Sequence, residues 1–147
     1  HLRLYVMNGR QIERVLNANL LVFRGVYSCD TLPEGNVRGL LVSNTDPHDK
    51  PGEHWITMYF DGDRGEYFDS FGRPPAKGFK DYLNKHCKNW IFNEKQLQSV
   101  CSRFCGHYCV YYCLLRSSGV DLHRIASSLT NDTGFNDVIV HGFICRQ

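Results

Sequence analysis

A cysteine followed by a glycine, Cys105-Gly106, stands at the entry of the most apolar stretch of the chain, and His54 and Asp69 precede it in that order. A thiolate that attacks, an imidazole that takes its proton and a carboxylate that fixes the imidazole tautomer are the parts of acyl transfer by a thiol. Upstream of the cysteine the chain reads Gln98-Ser-Val-Cys-Ser-Arg-Phe-Cys105. Ser102 is the expected N-cap of a helix, which puts Cys105 in the first turn, where unpaired N–H groups and the helix dipole favour an anion. Thiols placed there beside a cationic histidine become nucleophilic at neutral pH. Gly106 either lets a substrate backbone approach closely or is a helix-packing glycine. The oxyanion created by attack needs donors already in place; the backbone N–H of Cys105 and the side-chain amide of Gln98 are the candidates, with Gln96 as a rival for the second role. His107 lies two residues along the same helix and points away from Cys105, so the base must come from elsewhere.

His54 opens an expected strand, residues 54–60, and Asp69 lies near the end of another, residues 66–70, with the turn signal Asp61-Gly-Asp-Arg-Gly65 between them. Side chains alternate along a strand, so a register that pairs position 54 with 71 puts Asp69 on the face of His54, and a one-residue slip would undo it. Taken singly, each of these residues is more often structural than catalytic; their agreement carries the reading. Around them the pattern predicts a helix over Asn8 to Asn19, strands over Leu20 to Val26 and Gly39 to Ser43, and a helix over Lys77 to Lys88 after Pro74-Pro75. It continues with a short strand over Trp90 to Asn93, a helix over Ser102 to Arg116, and helical stretches over Val120 to Leu129 and Asn136 to Ile144. The 102–116 segment has no polar face and is expected to be central and buried. Helices mixed with a mainly antiparallel sheet give an α+β class.

The chain has 147 residues, 42% hydrophobic and 22% charged, enough for one buried core and one domain over residues 1–147. Residues 1 to 6, ahead of the first methionine at Met7, are set aside as an artificial or precursor remnant. The longest apolar runs fall far short of the roughly 20 residues of a membrane span, and nothing reads as a secretory signal, so a soluble monomer with no membrane partner is expected. Cysteines 101, 105, 109 and 113 follow one another at helical spacing, unlike the turn-borne Cys-x-x-Cys of zinc sites, which favours reduced thiols, no metal and an intracellular, reducing setting. A net charge of +2 is too mild to declare a nucleic-acid protein. Lys77, Lys80, Lys85 and Lys88 nevertheless fall close to one face of their helix, as a weak phosphate-binding candidate or simply its solvated side.

His54-Trp55, Phe68-Asp69-Ser70-Phe71-Gly72 and Gln98 to Cys105-Gly106 stand in the order and spacing of the adenovirus proteinase (adenain) family, which the ubiquitin-like-protein proteases share. Phe23 to Tyr27, Leu41 to Thr45 and the Gly52-Glu53 approach to His54 look more like adenain and the related proteases of Maverick/Polinton-type elements. The resemblance covers roughly residues 8 to 117. It implies a papain-like fold in permuted order, with a central mixed, mainly antiparallel sheet and a buried nucleophile helix. It further implies a Cys105, His54 and Asp69 triad with Gln98 in the oxyanion hole, and cleavage of viral or transposon structural precursors at glycine-containing sites. No cofactor is needed for the chemistry, while stimulation by DNA or an activating peptide and a nuclear or virion location follow from adenain. The chain departs from that pattern in having Asp69 where mammalian adenain has glutamate, a shorter loop between His54 and the acid, and an abbreviated C-terminal region. A deconjugase of ubiquitin-like modifiers and a silent DNA- or protein-binding relative are the alternatives. Cys101 and Cys109, which flank the nucleophile, could trap it as a disulfide on oxidation.

Overall fold

Side-chain alternation along the central strands splits the interior into two apolar layers. The computed structural model describes residues 6–20 and 22–147, so of the N-terminal remnant only Val6 lies among the described residues. One sheet holds β1 (Phe23–Tyr27), β2 (Gly39–Asn44), β3 (Trp55–Asp61), β4 (Arg64–Phe68) and β5 (Asn89–Phe92) in sequence order. The two inner pairings, β2–β3 and β3–β4, are antiparallel, and the two outer ones, β1–β2 and β4–β5, are parallel. The sheet is thus mixed, and with the five helices among the described residues the architecture is α+β. On one face Leu41, Ile56, Met58, Phe60 and Tyr67 pack against Phe79 and Leu83 of α2 (Lys77–His86). On the other, Leu40, Val42 and Phe68 meet residues of α1 (Gly9–Asn19), α3 (Cys105–Ser117), α4 (Leu122–Ser127) and α5 (Thr133–Cys145).

Every residue of α3 from Cys105 to Leu114 is buried, as its apolar circumference requires, because the helix lies between β3, α1, α4 and α5. Asn8 starts α1 with a capping box, its side chain accepting from the Gln11 N–H at 2.9 Å while the Gln11 side chain accepts from the Asn8 N–H at 2.9 Å. The hairpin turns on Gly62 at φ +61°, a conformation open to glycine. Its register, Thr57 opposite Phe68 and Met58 opposite Tyr67, continues the alignment that places 54 against 71.

Several boundaries differ from expectation. β1 begins at Phe23 rather than Leu20, Leu21 lying outside the described residues, and α2 stops at His86 because Cys87 turns extended. Ser102 is not the N-cap of α3: Phe104 holds that position, and the Ser102 hydroxyl lies one turn short of the helix, accepting from the Phe104 N–H at 3.3 Å while donating to Asp137 Oδ2 of α5 at 2.8 Å. Cys101 consequently lies before the helix and is exposed, so only Cys105, Cys109 and Cys113 share the helical spacing. All seven cysteines are among the described residues, and none is paired. Among the described residues no helix is long and apolar enough to cross a membrane.

Candidate active site

Cys105 is the first residue of α3, and the intrahelical ladder starts with the Tyr108 N–H donating to the Phe104 carbonyl at 3.0 Å. The N–H groups of residues 105–107 therefore point out of the helix end, concentrating positive potential around the thiol. His54 sits immediately before β3, and its Nε2 lies 2.7 Å from Asp69 Oδ1, with both side chains nearly buried. The Cys105 thiol lines the same cleft and acts on this imidazole, favouring its charged form. Burial works against a charged imidazole, but the hydrogen bonds to Asp69 and Cys105 and their charges outweigh it and raise the His54 pKa to about 9. The site thus favours an imidazolium facing a sulfur at a helix N-terminus. His54 and Cys105 line a cleft of about 790 Å³, together with Met7, Asn44, Trp55, Phe71 and Arg103.

A tight turn delivers the acid. The Gly72 N–H donates to the Asp69 carbonyl at 2.7 Å, and Gly72 takes φ +71° with its Cα against the backbone of Lys95, where a Cβ would approach the Lys95 carbonyl carbon to 2.6 Å. Asp69 Oδ1 also accepts from the Phe71 N–H at 2.8 Å. Asn93, just beyond β5, clamps the Asp69 backbone from both sides, accepting from its N–H at 2.9 Å and donating to its carbonyl at 2.6 Å. Asn93 had no role in the sequence reading; its only signal there is a polar residue closing an apolar strand.

No protein-family model matches the chain, and no curated protein matches it by sequence. Solved structures do. A crystal structure of ASFV pS273R protease superposes with a TM-score of 0.52 at 18% identity, over 82% of this chain and 59% of that one. The chain has that protease's fold. A selenomethionine crystal structure of the same ASFV pS273R protease matches with a TM-score of 0.49 at 23% identity, over 69% of this chain and 43% of that one. The chain spans less than two thirds of the length of either.

Within this shared fold Gln98 is fully buried behind the cysteine rather than in the cleft lining. Its Oε1 accepts from the Ser70 hydroxyl at 2.5 Å, and its Nε2 donates to the Ser102 carbonyl at 2.9 Å. Asp137 anchors the same loop, accepting from Ser102 Oγ at 2.8 Å and from the Tyr108 hydroxyl at 2.7 Å. Gln96 is exposed and donates to the Gln98 carbonyl at 3.0 Å. Gly106 answers a packing need: a Cβ there would meet Met7 Cβ at 3.1 Å and Ile12 Cδ1 at 3.2 Å. Lys77, Lys80, Lys85 and Lys88 are all exposed on or beside α2, across the sheet from α3; Lys77 pairs with Asp81 at 2.8 Å, and Lys88 approaches Asp63 at 4.0 Å. Cys109 is fully buried, which pushes its thiol well up, whereas Cys101 is exposed on the cleft wall.

Proposed function

We propose that the chain is a cysteine endopeptidase acting through a thioester intermediate, with Cys105 as nucleophile, His54 as base and then acid, and Asp69 holding His54. One observation carries this reading: Asp69 holds one imidazole nitrogen of His54, and that imidazole lines one open cleft with a thiol at the N-terminus of α3. The Cys105 proton passes to His54, and the sulfur adds to the scissile carbonyl carbon, whose π electrons move to oxygen. The Cys105 N–H stabilises that oxyanion, and Gln98 joins it once its amide exchanges Ser102 for the oxyanion, otherwise serving by fixing the loop behind the thiol. The imidazolium then protonates the departing amine nitrogen as the C–N bond breaks. A water deprotonated by His54 next attacks the thioester and releases the thiolate.

The adenain resemblance and the shared fold with a protease both support a polypeptide substrate. We extend the proposal, on the resemblance alone, to glycine-containing sites in viral or transposon precursors, to a papain-like arrangement entered in permuted order, and to stimulation by DNA or a peptide.

The test is labelling by a Leu-Xaa-Gly-Gly electrophile at neutral pH, with the modified residue mapped by mass spectrometry, with and without DNA. Modification confined to Cys105 and lost in His54→Ala is the expected result; no modification, or modification spread over several cysteines, overturns the reading.

A further inference from the structure

The ring that covers His54 belongs to the same turn that supplies its acid. We propose that Phe71 is a positioning residue, its ring face holding the His54 imidazole in place beside Cys105 and stabilising its protonated form. This inference rests on the cysteine-protease reading. The two rings stack with centroids 4.4 Å apart and 16° between their planes. The β3–β4 ladder ends at Thr57 opposite Phe68, and the turn that follows, closed by the Gly72 N–H on the Asp69 carbonyl, carries the Phe71 ring onto His54.

A hydrogen bond at one nitrogen leaves an imidazole free to swing about that contact. Asp69 Oδ1 holds Nε2 at 2.7 Å, and the Phe71 ring removes the remaining freedom by covering one face. The two restraints are mechanically linked, since the Phe71 N–H donates at 2.8 Å to the same Asp69 oxygen that holds His54. Arg73 completes the arrangement with its guanidinium carbon 5.0 Å from the Phe71 centroid.

An aromatic face attracts a cation, so the ring favours the protonated over the neutral imidazole. The charged and titratable groups around His54 are Asp69 from the turn after β4 and Cys105 from α3, both favouring the cation. Glu53, Arg73 and Arg103 line the same cleft, Arg73 against the Phe71 ring. Phe71 adds to the first two and, unlike them, takes no part in proton transfer.

The test reads His54 by NMR titration of its Cε1–H, identified by its loss in His54→Gln, in the parent, Phe71→Leu and Phe71→Trp, and in protein carrying trifluorophenylalanine at position 71. The fluorinated ring keeps the shape but not the electron-rich face. The expected result is a His54 midpoint lowered by about 0.5 to 1 pH unit in Phe71→Leu and in the fluorinated protein, restored in Phe71→Trp. A midpoint unmoved in the fluorinated protein overturns the inference, even if Phe71→Leu folds poorly. Electrophile labelling of the parent separates the two readings: an unlabelled Cys105 defeats the protease proposal, whereas a labelled Cys105 with an unmoved midpoint defeats only the role of Phe71.

Discussion

Two histidines stand near the N-terminus of α3, one on the cleft side and one behind the helix, and their surroundings drive them in opposite directions. His54 is pushed up to about 9 because Asp69 and Cys105 outweigh the effect of burial. His107, packed between Phe104 at 4.4 Å and His141 at 6.1 Å, is pushed down to about 4 by burial and by the second histidine. Burial is common to both; what separates a proton carrier from a neutral core ring is whether the nearest ionisable neighbour is an acid or another base.

Removing the reactive side of this comparison has the largest effect. Cys105→Ala or His54→Ala lowers kcat/KM on a peptide substrate by about a thousandfold or more, while His107→Gln, measured in the same assay, changes it by less than about tenfold. Converting the acid into a group that cannot hold the imidazolium comes next: Asp69→Asn lowers kcat about a hundredfold or more. It also moves the alkaline limb of the pH–rate profile, expected near pH 9 in the parent, to lower pH.

The two histidines also predict opposite arms of a stability profile. His54, raised above its ordinary 6.5, contributes stability that is complete below pH 6.5 and lost as pH climbs to about 9. His107, lowered from 6.5, contributes stability that is complete above pH 6.5 and lost as pH falls toward about 4. Urea midpoints measured across that range should peak near the middle. His54→Gln should flatten the alkaline arm and His107→Leu the acid arm; a profile in which either variant flattens the opposite arm would reverse the assignment.

The smallest effect tests the back of the nucleophile helix. Gly106→Ala forces a Cβ against Met7 and Ile12 and should cost about 1 to 3 kcal/mol by urea unfolding. If it instead lowered only kcat/KM with unchanged stability, close substrate approach rather than packing would explain the glycine.

Much of this was legible in advance where the signal is local. The hairpin, its register and the buried helix follow from alternation of period two, a glycine turn and an apolar circumference. The entry to α3 was not, because Ser102 satisfies the rules for an N-cap as a residue type, yet the helix starts at Cys105 and the Ser102 hydroxyl ties the preceding loop to Asp137, thirty-five residues later. Gln98 likewise looked like a free amide, but Ser70 and Ser102 engage both of its ends. Asn93 escaped notice because its value lies in clamping the backbone of a residue twenty-four positions away.

By itself the sequence determined the order of elements, the α+β class and the succession of histidine, acid and cysteine, since periodicity, turn residues and chain order are properties of neighbouring positions. Only the tertiary structure decided where the nucleophile helix begins, that both ends of the Gln98 amide are occupied, that Cys101 is exposed while Cys109 lies in the core, and that a phenyl ring covers the imidazole. Those outcomes depend on burial and on partners brought together by packing, and the energies that shift a proton or engage an amide arise only once water has been replaced by those partners.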